Sequence, residues 1–349
     1  MLMDPSEISL VIVILLQIGI GISVNGFLLL FYIHTVSANH KLSSSDMIHA
    51  HLVLANTIIL LTYGIPETMS TWGLKNFLGD IGCKILIYLY RVARSLSICT
   101  TCLLSVFQAV TLSPSTSLWA RLKIQLPKYI PPSCIFLWIL GFLINVSTPM
   151  RVRGPQNSTS ALFMYDLKYC SVVSLSAETS LAIAVVLSIR DLFFMGIMIG
   201  ASGYMVFVLH RHHQRVQHLH GPNHSPKVLP EVRAAKRVIA LVALYVLLYG
   251  RQSIMLSILL NRKVNSPLLV KSHVVWSPSF SAISPFLVIH SDRRIRTLWK
   301  KQSTIFNMDP SENPKEVACS PPQFFLVSRS ESVRDLQSGK IRNSHVVKD

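Results

Sequence analysis

CKILIYLYRVARSLSICTTCLLSVFQAVTL, residues 83–112, is a run of membrane-spanning length that carries two charges in its interior. It follows an Asp-Ile-Gly turn at 80–82 and gives way to the basic, proline-punctuated SPSTSLWARLKIQLPK at 113–128. A bilayer core of about 30 Å requires about 20 predominantly apolar residues in a helix, which this run supplies. Arg91 and Arg94 stand well inside it. An intramembrane arginine costs at least about 2.5 kcal/mol on insertion scales, so such a side chain faces a bundle interior or a wet cavity rather than lipid. This span is therefore central, and the others pack around it.

Composition agrees. Hydrophobic residues make up 50% of the 349 and charged residues only 14%, which a soluble globular chain rarely shows. The formal net charge of +17 does not indicate a nucleic-acid partner, because the lysines and arginines sit in short segments flanking apolar runs and form no basic domain. They read as orientation signals and lipid contacts.

Further apolar segments at about 8–33, 47–72, 131–149, 181–209, 238–260 and 268–290 bring the spans to seven, an all-α membrane bundle. Asp4 and Glu7, and no basic residue, precede the first, so it reads as a retained span entered from outside and not as a signal peptide. Asn25 within it reads as a polar clamp to another helix. In the second, His49 and His51 are two residues apart and so on different faces of a helix, which argues against a shared metal, and Pro66 predicts a kink. The fifth carries Arg190, Asp191 and the small-residue series Gly196, Gly200 and Gly203, read as a site of close helix packing. Residues 292–301 read as a basic amphipathic segment on the membrane surface, with Ile295, Leu298 and Trp299 on its apolar side, and 302–349 as a disordered cytoplasmic tail.

Basic residues set the orientation. Arg121, Lys123 and Lys128 follow span three; Arg211, Arg215, Lys227, Arg233, Lys236 and Arg237 follow span five; Arg293, Arg294, Arg296, Lys300 and Lys301 follow span seven. The positive-inside bias puts the amino terminus outside and the tail in the cytoplasm. Of the sequons at Asn145, Asn157 and Asn223, that layout leaves only Asn157 open to glycosylation. Of six cysteines it leaves only Cys83 and Cys170 on the oxidising side, a natural disulfide from the top of span three to the loop after span four.

No nucleophile elbow, phosphate-binding glycine loop or HExxH motif is present, and the reading is of a non-enzyme without a cofactor. The histidines at 210, 212, 213, 218, 220 and 224 fall in a basic cytoplasmic segment and read as a solvated surface more readily than as a zinc site.

Against this background SICTTCLLSVFQA at 97–109 resembles the span-three signature of the type-1 vomeronasal (pheromone) receptors, a rhodopsin-like family. LAN at 54–56, GIPETM at 64–69, DIGCK at 80–84, RVAR at 91–94, ASG at 201–203, MVF at 205–207, Arg211-His212, VQH at 216–218 and SPF at 284–286, with Asp292 closing the last span, match in order over about residues 8–300. The acidic-arginine-aromatic triplet that ends span three in most rhodopsin-like receptors is missing from this chain, as from the family it resembles.

The resemblance implies a multi-pass chemosensory receptor of the plasma membrane that couples a small, pheromone-like ligand to an inhibitory-class heterotrimeric G protein. Its readout would be the segment 113–128 and the basic end of span five, with Arg121, Lys123, Arg211 and Arg215 facing the partner. Tyr88, Arg91 and Arg94 with Asp191 are the expected ligand-binding residues, and a buried salt bridge is the competing account of the charges. Arg190 stands where the family usually has proline, Arg251 lies in the middle of span six, Leu118 and Ser277 replace a usual arginine and cysteine, and the tail is long. Two alternatives follow: a chain drifted from function through Arg251, and a bitter-taste-like seven-span receptor, against which the span-three string argues. A transporter would show internal repeats, and none is found. Expressed with an epitope tag, the chain is expected to lose its glycosidase-sensitive mobility shift on Asn157→Gln and to keep it on Asn145→Gln and Asn223→Gln.

Overall fold

The computed structural model describes residues 5–38, 42–74, 77–114, 117–154, 163–167, 169–173, 177–220, 230–261, 275–291, 295, 297 and 299. In chain order the elements are α1 (Pro5–Ser37), α2 (Ser44–Ile59), a π-helical turn (Leu60–Gly64), α3 (Ile65–Thr71), α4 (Asp80–Leu112), α5 (Ser117–Ile144), α6 (Thr148–Arg151), β1 (Val152–Arg153), β2 (Phe163–Leu167), β3 (Cys170–Val173), α7 (Ala177–His220), α8 (Pro230–Asn261) and α9 (Ser279–Ser291). Among the described residues, five helices are long and apolar enough to cross a membrane: Val11–Ser37, Ser44–Ser70, Asp80–Leu112, Trp119–Arg151 and Val185–His212.

α4 is the axis. It contacts α2, α5, α7 and α8, and along Val92–Cys102 only Arg94 is not buried. The intramembrane arginines thus sit on the helix with the most protein around it. Around α4, Ile98, Cys102 and Leu104 share one apolar core with Leu52 of α2, Met198 and Met205 of α7, Leu241 and Tyr245 of α8 and Phe280 of α9.

Three prolines decide how the outer helices meet. Pro66 has no N–H to offer the Thr62 carbonyl, and the chain takes it in through the π-helical turn just before it, so the predicted kink appears as a widened turn. Gly64 closes that turn; a Cβ there would stand 2.8 Å from the Ile18 side chain, so glycine lets α1 approach. Gly21 acts likewise, since a Cβ would meet Leu60 Cδ1 at 2.9 Å and Ala282 Cβ at 3.1 Å. Pro285, inside α9, frees the Ser281 carbonyl, and Asn25 Nδ2 donates to it at 2.9 Å while also donating to Gly21 O at 2.8 Å. One turn along, Asn56 Nδ2 donates to Ser284 Oγ at 2.9 Å. Pro278, just before α9, accepts at its carbonyl from Ala282 N at 3.1 Å and so starts the helix.

The histidines of α2 have helix-level duties. His49 Nδ1 donates to Ser45 O at 2.7 Å, and His51 Nδ1 accepts from Trp138 Nε1 at 3.1 Å, tying α2 to α5.

Beyond Arg151 a three-stranded antiparallel sheet in the order β1-β3-β2 lies against the start of α4. Val152 pairs with Val172 and Leu167 with Cys170, with an irregularity between Phe163 and Tyr165. The Cys83–Cys170 disulfide joins β3 to α4, and Cys83, Ile87, Val152, Tyr169 and Cys170 form a small core beneath it. Gly154 N donates to Asp80 Oδ1 at 3.0 Å, and Asp80 also pairs with Lys84 at 2.6 Å.

Three sequence expectations differ from the structure. The segment 113–128 is not a loop running up to a span that starts at Pro131: α5 begins at Ser117 and continues through Pro127, Pro131 and Pro132. All three prolines lie on the exposed face, where the carbonyls they free are open to outside donors, so the helix absorbs them. The helix of span five likewise does not end near residue 209, because α7 runs to His220 and takes in the start of the histidine-rich segment. The glycine series of α7 also differs from expectation. A Cβ at Gly196, Gly200 or Gly203 meets nothing within 4 Å, so these glycines face no described neighbour. The surface segment at 292–301 and the tail at 302–349 lie largely or wholly outside the described residues.

Replacing Asn25 by alanine strands the Ser281 carbonyl, and the expected cost is about 1–3 kcal/mol of stability. In a Pro285→Ala background, which restores a helical N–H for that carbonyl, the same change should cost clearly less. Thermal unfolding of the detergent-purified single and double variants measures the coupling.

Candidate functional site

On the sheet side of the bundle, α4, α7, α8 and α9 enclose a polar and aromatic group. α4 places Tyr90, Arg91, Arg94, Ser95 and Ser97 along just over two turns, so one helix delivers several polar side chains to the interior. From α7 come Arg190 and Asp191, from α8 Tyr245 and Tyr249, and from α9 Phe280.

Arg190 and Asp191 are directly paired. Arg190 Nε and Nη2 both donate to Asp191 Oδ1, at 2.9 and 2.6 Å, and Nη1 donates to Ser95 Oγ at 2.9 Å. Ser95 Oγ also accepts from Asn145 Nδ2 at 3.1 Å, so α4, α7 and the turn that follows α5 meet at one hydroxyl. Asn145, which carries a sequon in the sequence, is buried at this junction.

Arg94 lies over the Tyr249 ring, 5.2 Å from its centroid. Tyr249 stacks on Tyr245 at 4.2 Å, and both meet Phe280 edge-on, at 5.6 and 4.9 Å. A guanidinium over an electron-rich ring inside a desolvated cluster gains about 2 kcal/mol or more. Asp191 is within electrostatic reach of Arg94, Tyr245 and Tyr249, which puts its charge toward the bundle interior. Arg91 is within electrostatic reach of Arg94, Arg151 and Arg190, so four arginines share this region, and Asp191 pairs with Arg190 and is within reach of Arg94. Tyr63 stacks on Tyr90 at 5.2 Å, and the Tyr90 hydroxyl hydrogen-bonds Ser277 Oγ at 3.2 Å, closing the side toward α2 and α9.

Of the four ligand-binding residues expected from sequence, the fold brings three together: Arg91, Arg94 and Asp191. Tyr88 is elsewhere. Its hydroxyl donates to Phe142 O at 3.1 Å and its ring faces Phe142, so it binds α4 to α5. Sequence reasoning missed Ser95, Asn145, Tyr245 and Tyr249, and it read Arg190 as an anomaly when it is the partner of Asp191. Arg251 lies in α8, its side chain outside the described residues, as does Asn157.

At the opposite end, the Ser113 and Tyr204 hydroxyls hydrogen-bond at 3.0 Å and Trp119 stacks on Tyr204 at 6.2 Å, which joins the end of α4 and the start of α5 to the body of α7. Arg121 and Arg211 are exposed there and Lys123 is half-buried; Arg215 is on α7 with its side chain outside the described residues.

Residues 8–301 match the model of the vomeronasal organ pheromone receptor family. The chain is 38% identical over 298 residues to vomeronasal type-1 receptor 3 of Homo sapiens, covering 85% of this chain and 95% of that one. It is 36% identical over 283 residues to olfactory receptor class A-like protein 1 of Danio rerio, covering 81% and 89%. In fold it resembles squid rhodopsin, with a TM-score of 0.65 at 18% identity over 87% of each chain.

If the ring face of Tyr249 holds Arg94, Tyr249→Phe should preserve stability and Tyr249→Leu should lower it by about 1–2 kcal/mol, read as thermal unfolding of the purified receptor.

Proposed function

Since the chain belongs to the vomeronasal type-1 receptor family, we propose that it is a G-protein-coupled chemosensory receptor of the plasma membrane whose ligand binds at the arginine and tyrosine group between α4, α7 and α8. Seven helical segments, counting α2 with α3 as one, cross the bilayer in this reading, with the amino terminus outside and the basic ends of α5 and α7 in the cytoplasm. The disulfide-anchored sheet then covers the outer side.

The observation that carries the proposal is the surplus of positive charge in an apolar bundle: Arg91, Arg94 and Arg190, with Arg151 within electrostatic reach of Arg91, beside the carboxylate of Asp191. Such charges are costly in a bilayer and are retained where they act on something. Here they suit a small ligand with an anionic or strongly accepting group, its apolar part against Tyr245, Tyr249 and Phe280. Such a ligand acts only by favouring one helix arrangement over another. α4 and α7 carry both the site and the Ser113–Tyr204 contact, so they are the elements whose arrangement the ligand biases. The exposed Arg121 and Arg211 beside that contact present positive charge to an acidic face of an inhibitory-class G protein.

Arg190 has two described partners and is not a stranded charge, while the alternative of a chain drifted from function rests on Arg251, whose side chain lies outside the described residues. Family membership takes away the bitter-taste reading.

In cells, ligand-dependent suppression of cyclic AMP is expected, and it should disappear when the inhibitory α subunit is ADP-ribosylated. Arg94→Ala should shift the half-maximal ligand concentration upward by about tenfold or more at equal surface expression, equivalent to about 1.4 kcal/mol or more. A response untouched by ADP-ribosylation would refute the inhibitory coupling.

A further inference from the structure

Arg190 and Asp191 are consecutive on a helix, where neighbouring side chains point about 100° apart and do not naturally face each other. Here the guanidinium nevertheless turns back so that two of its N–H groups converge on one oxygen, Asp191 Oδ1, and a third reaches across to Ser95 of α4. Ser95 is itself held by Asn145, the residue that follows α5. The arginine is thus fixed by α4, α7 and the turn after α5 in the orientation that covers the carboxylate. Among the described residues Asp191 Oδ2 accepts no hydrogen bond, and the Asp191 side chain keeps 20% of its surface exposed, so the carboxylate is reachable.

We propose that Arg190 is a tethered counter-ion: it takes the place at Asp191 that the ammonium group of a ligand would take, and so closes this receptor to amines. The inference rests on the ligand-binding role proposed for this group and adds a rule of selectivity to it. A carboxylate facing the interior of a receptor bundle is a site for a cation in chemical terms, because desolvation there strengthens a charge-assisted hydrogen bond. A free amine arriving at this carboxylate competes with a guanidinium attached to the next residue. The effective concentration of that competitor is on the order of millimolar or above. Arg94, within electrostatic reach of Asp191, adds repulsion to the same cation. Selectivity here comes from the element that rejects the wrong ligand as much as from contacts to the right one.

The test uses the full-length receptor purified into lipid nanodiscs with no G protein, so that its failure is distinct from a failure to signal. The probes are phenylethylamine and its uncharged counterpart phenylethanol, with binding followed by intrinsic fluorescence. Arg190→Gln keeps a donor for Ser95 and removes the charge; it should raise the ratio of phenylethylamine to phenylethanol affinity about tenfold or more over the native chain, a ratio in which any loss common to both probes cancels. The double variant Arg190→Gln/Asp191→Asn should lose the gain. Arg190→Lys, which keeps the charge but not the fork, should gain about threefold and carries the test if the glutamine variant does not fold. A ratio unchanged in whichever of these variants folds, or a gain that persists without the carboxylate, overturns the proposal.

Discussion

A carbonyl deprived of its helical donor by proline, and buried where no water supplies one, has to be satisfied from another helix. The Ser281 carbonyl is that group here and Asn25 is its donor. The bond requires α1 to come close to α9, which Gly21 permits, and close to the π-helical turn of α2, which Gly64 permits. Asn56 fastens the next turn of α9 through Ser284. Once α9 is held, Phe280 is delivered against Tyr245 and Tyr249, and Ser277, just before it, against Tyr90. The aromatic side of the candidate site therefore depends on a hydrogen bond made on the far side of α9 from it.

The same logic separates what the sequence made legible from what it did not. Long apolar runs and the two arginines of α4 report the bilayer directly, because composition and length are what a bilayer selects. Cys83 and Cys170 were legible because topology left them only each other, and they are bonded. Helix ends were harder: Pro127, Pro131 and Pro132 signal a boundary in an isolated chain, yet on an exposed helix face they are tolerated. Tyr88 and Arg91 lie three residues apart on α4, too close for hydropathy to show that one tyrosine faces α5. Tyr245 and Tyr249 sit four residues apart in an apolar run, where they look like ordinary core. Only the approach of Arg94 from another helix marks them out, and pairing between helices is not written in either helix alone.

Charge inside the bundle is organised at two levels. Arg190 and Asp191 neutralise each other through a geometry braced by Ser95 and Asn145, and Arg94 is received by a ring face. What remains is positive and adjoins aromatic surface. Arg94 and Ser95 on α4 and Arg190 and Asp191 on α7 sit on the two helices that Ser113, Trp119 and Tyr204 join, with α5, at the opposite end. The site and that junction are thus parts of the same rigid elements.

The length of α7 has a mechanical consequence. Its 44 residues extend about 66 Å, roughly twice the thickness of a hydrocarbon core. From Asp191 to His220 the arm is about 44 Å, so a tilt of about 5° pivoting near the carboxylate would carry the histidine-rich tip sideways by about 4 Å. A rearrangement at Asp191 too small to alter its own neighbours by more than a fraction of an ångström would arrive at the far end as a displacement the size of a side chain.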